Sequence, residues 1–191
     1  MSGAARPRPP ATDTYAALVR GMNALGYTEG TNLAIEWRFA SGALDQLPGF
    51  AKELVAANVD VIVTPGTQAA QAAQQATRTI PIVLAIISDP VATGIVKSLA
   101  RPGDNITGLS NVNSEKHLEM LMQTVPKLDR AAVLMNAGNP GNQVTLKRLQ
   151  LTGEKVGVAI VPVAVRNAAE LENGLEQMPR ELLIRADEVI E

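Results

Sequence analysis

Polar side chains follow directly after three short apolar runs of this sequence, each of which is typical of a buried strand. The loops with this placement are 65–68, 88–90 and 136–140, and their principal polar residues are Thr67, Asp89 and Asn136. In parallel sheets, ligands collect at the carboxyl ends of strands, where helix-start amides point outward. The amides that follow Thr67 can hold a carboxylate, Asp89 can hold an ammonium group, and Asn136 can bond to either. Together they predict a cleft for a small polar solute such as an amino acid.

Local roles explain some of the same residues. Thr67 suits the N-cap of the helix that follows it. Asp89 precedes Pro90, a common turn-forming pair. For each residue alone the local role is the stronger interpretation, whereas three loops at equivalent strand ends favour a ligand cleft.

Signatures of catalysis are missing from the sequence. His117 is the single histidine and stands at the start of a helix, where a solvated side chain is expected. The chain contains no cysteine, which excludes thiol nucleophiles and thiolate metal sites. It also lacks a Gly-x-Ser-x-Gly elbow, a Walker A loop, a dinucleotide-type glycine fingerprint and a zincin motif. We therefore expect no enzyme, and no metal or other cofactor.

The composition of the chain narrows the classes of partner that it is expected to bind. The 191 residues carry a net charge of −2 and only 3% aromatic residues, which argues against nucleic acid and anionic membranes. No stretch approaches the roughly 18 apolar residues of a membrane span, so direct membrane insertion is not expected.

Strand and helix patterns alternate along the chain, which predicts an α/β fold with mainly parallel sheets. The predicted strands are Leu33–Phe39, Val59–Thr64, Ile82–Ile87, Ile106–Leu109, Ala131–Asn136 and Val158–Val165. The predicted helices are Tyr15–Leu25, Gln46–Asn58, Gln68–Thr77, a short one near Ala92–Leu99, Ser114–Val125, one from Asn139 and Pro140 to about Val156, and Ala168–Met178.

The segment Arg101–Gly108 marks a boundary between two α/β series. Pro102 fixes φ and Gly103 admits positive φ, so the segment starts with a turn before the extended run at Ile106. We expect a Pro-rich arm at 1–13, a first α/β lobe at 14–109, a partial second lobe at 110–178 and a tail at 179–191.

This segment resembles the crossover of the ABC-transporter substrate-binding family with the type I periplasmic binding protein fold. The other stretches that match in order are Leu25–Gly30, Val59–Val63, Thr79–Val83, Asp89–Val91, Glu119–Leu121 before Val125-Pro126, Ala132–Pro140 and Leu182–Glu191. The resemblance implies two parallel-sheet lobes with helices on both faces. It also implies that Gly66, Thr67, Ser88, Asp89 and Asn136 line the cleft between them.

The family resemblance implies the solute-binding component of an importer, with an ABC transporter permease as partner and a periplasmic or cell-surface location. Two departures stand against it. Family members open with an export signal and a first strand, whereas this sequence reaches its first helix from a Pro-rich arm, which predicts a cytoplasmic protein as written. The second lobe also looks incomplete. The alternatives are a shortened, non-secreted remnant that binds little or no ligand, and an α/β enzyme for a small polar substrate.

Overall fold

The computed structural model describes residues 13–111, 114–125, 127–166, 170, 171 and 173. Its helices are α1 (Asp13–Ala24), α2 (Leu47–Ala56), α3 (Thr67–Ala76), α4 (Ser114–Thr124) and α5 (Pro140–Val156), and a 3-10 turn (Leu44–Gln46) precedes α2. Its strands are β1 (Ile62–Pro65), β2 (Ile82–Ser88), β3 (Ile106–Asn111), β4 (Arg130–Asn136) and β5 (Ala159–Val165). Helices and strands alternate, and the predicted α/β class is confirmed.

In the described part of the chain, all strand pairs are parallel and form two separate sheets, one in the order β1-β2-β3 and one of β4 and β5. Parallel neighbours require crossover connections, and α3 and α5 each supply one. The turn predicted before β3 is present, because Gly103 and Asp104 have φ values of 74° and 52°. The lobe boundaries predicted from the sequence stay a prediction.

The first sheet packs its apolar face against α3. Ile62, Ile82 and Ile106 are paired in register across the three strands, and all are buried. On α3, Ala70 and Ala73 are fully or nearly fully buried. Their small side chains let the helix lie close on the sheet. The carboxyl end of β1 and the start of α3 are thereby held in fixed positions.

The second sheet has its own core, formed where α4 and α5 cover β4 and β5. Its buried members are Leu118, Ala131, Leu149 and Val158. α5 begins as predicted, since Asn139 is the N-cap and its side chain accepts a hydrogen bond from the Gly141 amide. Pro140 follows as the first helical residue, where its missing N–H costs nothing.

The predicted strand Leu33–Phe39 is wrong. The segment has no ladder partner apart from an isolated bridge between Glu29 and Leu33. Its alternating pattern instead places Trp37 and Phe39 against Tyr15 of α1. An alternating pattern indicates which side chains are shielded from water, but a strand also needs a neighbouring backbone for its hydrogen bonds.

The predicted short helix near Ala92–Leu99 is also wrong, since this region consists of turns. The amides of Ile95 and Val96 both bond to the Pro90 carbonyl, at 2.9 and 3.0 Å. An α-helix would instead direct each amide to the residue four positions earlier. The closed turn buries both side chains in the first core.

The face of the first sheet opposite α3 is open at several apolar positions. Val63, Ile86 and Leu109 are 42%, 55% and 70% exposed. Parallel sheets normally bury both faces. Most of the predicted helix Ala168–Met178, the arm at 1–12 and the tail at 179–191 lie outside the described residues. Within the described part, no helix combines the length and apolarity needed to cross a membrane.

Candidate ligand site

A cavity of about 320 Å³ opens beside the carboxyl end of β1. Its walls come from α1, the segment after Trp37, the 3-10 turn with the start of α2, the end of β1 with the start of α3, and the loop that precedes α5. Its lining residues are Tyr15, Arg38, Phe39, Ala40, Ser41, Leu44, Leu47, Pro65, Gly66, Thr67, Gln68, Ala69 and Asn139. Two of the five site residues predicted from the sequence, Gly66 and Thr67, are among them.

Thr67 is the most deeply buried polar residue of this wall, with 2% of its surface exposed. It is the first residue of α3, while Gly66, with φ of 82°, occupies the N-cap position. The expectation that Thr67 caps the helix is therefore wrong, and no side chain caps α3. The amides of the first helical turn have no partner within a helix. They and the positive end of the helix dipole favour an anion at this position.

Aromatic residues form another part of the cavity lining. Tyr15 stands edge-on to Trp37 and Phe39, with ring centroids 5.5 and 5.3 Å away, and Trp37 and Phe39 stack at 5.7 Å. Edge-on and offset stacked rings are the favourable arrangements for aromatic pairs. Tyr15 and Phe39 both line the cavity, so its lining combines aromatic residues with the polar start of α3.

Arg38 stands between the aromatic rings in sequence and adds a positive charge to the cavity wall. Its Nε donates a hydrogen bond of 2.7 Å to the Glu53 carboxylate, and its guanidinium lies 3.5 Å from Glu36. The hydrogen bond to Glu53 raises the pKa of Arg38 above its ordinary value. Arg38 is therefore charged at every physiological pH, and Glu53 holds it in place.

Ser88 and Thr67 meet the second half of the chain at one point. A side chain added at Gly141 of α5 would place its Cβ 2.6 Å from Thr67 Oγ1 and 3.3 Å from Ser88 Cβ. The backbone of α5 thus lies so close to Thr67 and Ser88 that no side chain fits at position 141. Ser88 does not line the cavity itself.

Asp89 is buried at the end of β2, with 6% of its surface exposed. Its Oδ1 accepts a hydrogen bond of 3.0 Å from the Ala92 amide, and its Oδ2 lies 2.9 Å from an Arg148 guanidinium nitrogen of α5. Oδ1 is therefore hydrogen-bonded, whereas Oδ2 has an ionic contact with Arg148 that lacks hydrogen-bond geometry. The expected role in holding a ligand's ammonium group stays a prediction, and it would require Arg148 to give way.

Asn136 ends β4 and shapes the loop that leads to the cavity. Its Oδ1 accepts a hydrogen bond of 2.8 Å from the Gly138 amide. The Gly138 carbonyl in turn accepts one of 2.7 Å from Gln68 of α3. Asn136 is exposed and lies outside the cavity lining, but its turn joins the two sheets next to Asn139, which does line it.

All five predicted residues thus surround the contact between α5 and the strand ends of the first sheet, and two of them reach the cavity. Sequence reasoning missed Tyr15, Arg38, Phe39 and Asn139. A usable signal was present, because the chain has only five aromatic residues (one Trp, two Tyr and two Phe) and Trp37 and Phe39 flank an arginine. His117 is exposed on α4 and is not part of the lining.

Comparison with known proteins places this geometry in a family. The chain is 28% identical over 161 residues to the tyrosine-binding protein of Clostridioides difficile, covering 84% of this chain and 47% of that protein. Among solved structures it resembles a conserved domain protein from Vibrio cholerae, with 34% identity and a TM-score of 0.79, over 84% of this chain and 55% of the other.

Two further structures are similar. One is an ABC domain from Streptococcus pneumoniae in complex with L-Trp, with 25% identity and a TM-score of 0.75 over 86% of this chain and 56% of the other. The second is the ligand-free, open structure of a substrate-binding protein with adhesive properties from Clostridium difficile, with 30% identity and a TM-score of 0.60 over the same shares. The chain thus spans about half the length of these relatives. Since the profile of the ABC transporter substrate binding protein family matches residues 8–184, the chain belongs to that family.

Proposed function

We propose that this protein is a solute-binding component of an ABC importer and that it binds an amino acid with an aromatic side chain in the cavity beside α3. The observation that carries the proposal is the arrangement of the cavity walls. The buried start of α3 and the aromatic residues Tyr15 and Phe39 line one small volume.

The size of the cavity suits one small solute. Small-molecule pockets usually span about 300–1,000 Å³. At about 320 Å³ the cavity lies at the lower end of this range. A single amino acid fits such a volume, whereas a peptide or a nucleotide would need more room.

The polar wall suits the carboxylate of an amino acid. Gly66 and Thr67 at the start of α3 line the cavity, and so does Arg38, whose charge is paired with Glu53 and Glu36. Helix-start amides are common anion sites. A ligand carboxylate at this position would satisfy amides that have no intrahelical partner.

The aromatic wall suits a planar side chain. Tyr15 and Phe39 can hold a ligand ring by edge-on or offset stacking, each contact adding about 0.5–1.5 kcal/mol to simple burial. Two relatives support this choice, one named a tyrosine-binding protein and one solved with L-Trp. We also propose that the cavity residues recognise the solute and break no bond in it.

The partner and compartment belong to the same proposal. A receptor that supplies an importer meets both its solute and the permease on the outer side of the membrane. We therefore propose a periplasmic or cell-surface location and an ABC permease as partner. Fractionation of cells that express the natural gene, with the protein detected by antibody, tests the location.

The test of binding uses Trp37, which is the single tryptophan of the chain and touches both rings of the aromatic wall. L-tyrosine, L-phenylalanine and L-alanine are titrated while Trp37 fluorescence is recorded, and L-tryptophan is titrated by calorimetry. We expect saturable binding of the aromatic amino acids and much weaker binding of L-alanine.

Two variants locate the site. Thr67→Val keeps the shape of the side chain and removes the hydroxyl, so we expect weaker L-tyrosine binding with little loss of folding stability. Thr107→Val is the matched control, because Thr107 is exposed on β3 and lies outside the cavity lining. Equal affinity for all four amino acids, or equal effects of the two variants, would contradict the proposal.

A further inference from the structure

One face of α5 carries the contact between the two sheets. Gly141 and Arg148 are seven residues apart, which places them two turns apart on the same side of the helix, about 10 Å along its axis. Gly141 meets the start of α3 at Thr67 and the end of β2 at Ser88, and Arg148 meets Asp89 directly after β2. α5 is therefore attached to the first sheet at two points.

The first point depends on the missing side chain of Gly141. A Cβ there would approach Thr67 Oγ1 to 2.6 Å, well inside ordinary van der Waals distance. Thr67 itself is fully packed, so it has little room to move. Any side chain at position 141 would push the start of α5, and Asn139 just before it, away from the cavity.

The second point is the ion pair between Asp89 and Arg148, in which the Asp89 carboxylate is also held by a backbone amide of its own loop. The Asp89 side chain is 8% exposed and the Arg148 side chain 39% exposed, with 2.9 Å between Oδ2 and the guanidinium nitrogen. Oδ1 is already held by the Ala92 amide. The carboxylate therefore presents one oxygen, in a fixed direction, to the second sheet. Leaving a buried carboxylate without its partner is costly.

We propose that Arg148 is a positioning residue. Its ion pair with Asp89 holds α5 against the first sheet in the absence of any ligand, and so keeps Asn139 in the wall of the cavity. Arg148 does not line the cavity and is assigned no contact with a solute. The consequence for solute affinity rests on the proposed function, whereas the attachment itself does not.

The test measures the distance between the two halves of the chain directly. The sequence has no cysteine, so Arg78→Cys and Glu154→Cys provide two unique attachment points for spin labels, both at exposed positions. Double electron–electron resonance then gives the distribution of distances between the two spin labels in the absence of ligand. We expect one narrow distribution for the chain with native Asp89 and Arg148.

Three substitutions are then compared in that labelled background. Asp89→Asn removes the charge but keeps an oxygen for the Ala92 amide and a residue type that tolerates the φ of 37° found here. Arg148→Gln removes the other charge, and Arg148→Lys keeps it. We expect longer and broader distances for Asp89→Asn and Arg148→Gln, and a near-native distribution for Arg148→Lys.

L-tyrosine affinity provides the second measurement. In the two charge-removing variants we expect it to fall about fivefold, the factor that corresponds to a modest, partly exposed ion pair. Native distances in both variants would overturn the proposal, whatever the affinities. If the native chain binds no amino acid, the proposed function fails, and the distances alone still decide whether Arg148 positions α5. Should Arg148→Gln fail to fold, Asp89→Asn decides.

Discussion

Gly108 of β3 is paired with Leu84 of β2 without room for a side chain, and replacing it with alanine tests this close pairing. A Cβ added at Gly108 would lie 2.2 Å from the Leu84 carbonyl oxygen, 2.5 Å from the Leu84 nitrogen and 2.7 Å from the Leu84 Cβ. Most of these atoms are backbone, so rotation of a side chain cannot relieve the overlap. β3 would have to shift away from β2 along the stretch where the two strands are paired.

The size of the effect follows from two contributions. A φ of 142° is accessible to glycine but strained for other residues, at a cost of about 1–3 kcal/mol. Overpacking that forces a backbone shift costs about 1–3 kcal/mol more. We therefore expect Gly108→Ala to lower the free energy of unfolding by about 2–6 kcal/mol. For a chain of this length that lowers Tm by on the order of 10 °C.

Thermal and urea unfolding followed by circular dichroism measure this effect. Gly103→Ala is the matched control, because Gly103 also has a positive φ, 74°, but its nearest neighbour is the flexible Lys97 side chain at 4.0 Å. It should lose only the conformational contribution, about 1–2 kcal/mol. Equal losses for the two variants would refute the conclusion that the overlap with Leu84 sets the cost.

Three further predictions follow from named contacts. Thr77→Ala should lower the free energy of unfolding by about 1–3 kcal/mol, because the Thr77 hydroxyl accepts hydrogen bonds from the Thr79 and Ile80 amides at 3.2 and 3.1 Å. Thr77→Ser keeps the hydroxyl and should retain most of that stability. Arg38→Gln should cost no more than about 1 kcal/mol, since Glu53 is 55% exposed. The raised pKa of Arg38 means that its contribution is fully present below its unfolded pKa and is lost only in strong alkali, so urea unfolding should show no step from Arg38 between neutral and mildly alkaline pH. The chain should associate with rising concentration through the open face at Val63, Ile86 and Leu109, and Leu109→Lys should reduce the association seen by sedimentation velocity; a monomer at all concentrations would contradict this.

Local sequence was sufficient for most of the elements and for part of the site. The Asn139-Pro140 pair predicted the start of α5, because capping depends on residues within one turn. The β-branched run before Thr67 predicted a buried parallel strand, and the strand-end argument then led to Gly66 and Thr67. These inferences needed only near neighbours in the chain and the general layout of parallel sheets.

Tertiary structure decided the rest. The alternation of Leu33–Phe39 is real, yet no strand formed there, because strand pairing depends on a second backbone that the pattern does not contain. The cavity joins Tyr15 and Phe39 to the start of α3, which lies far along the chain from both. The pairing of Asp89 with Arg148 spans the two sheets and engages a carboxylate that local sequence leaves open to a ligand. Residue types determined which groups could carry charge or stack, whereas the placement of α5 against the first sheet determined which of those groups meet.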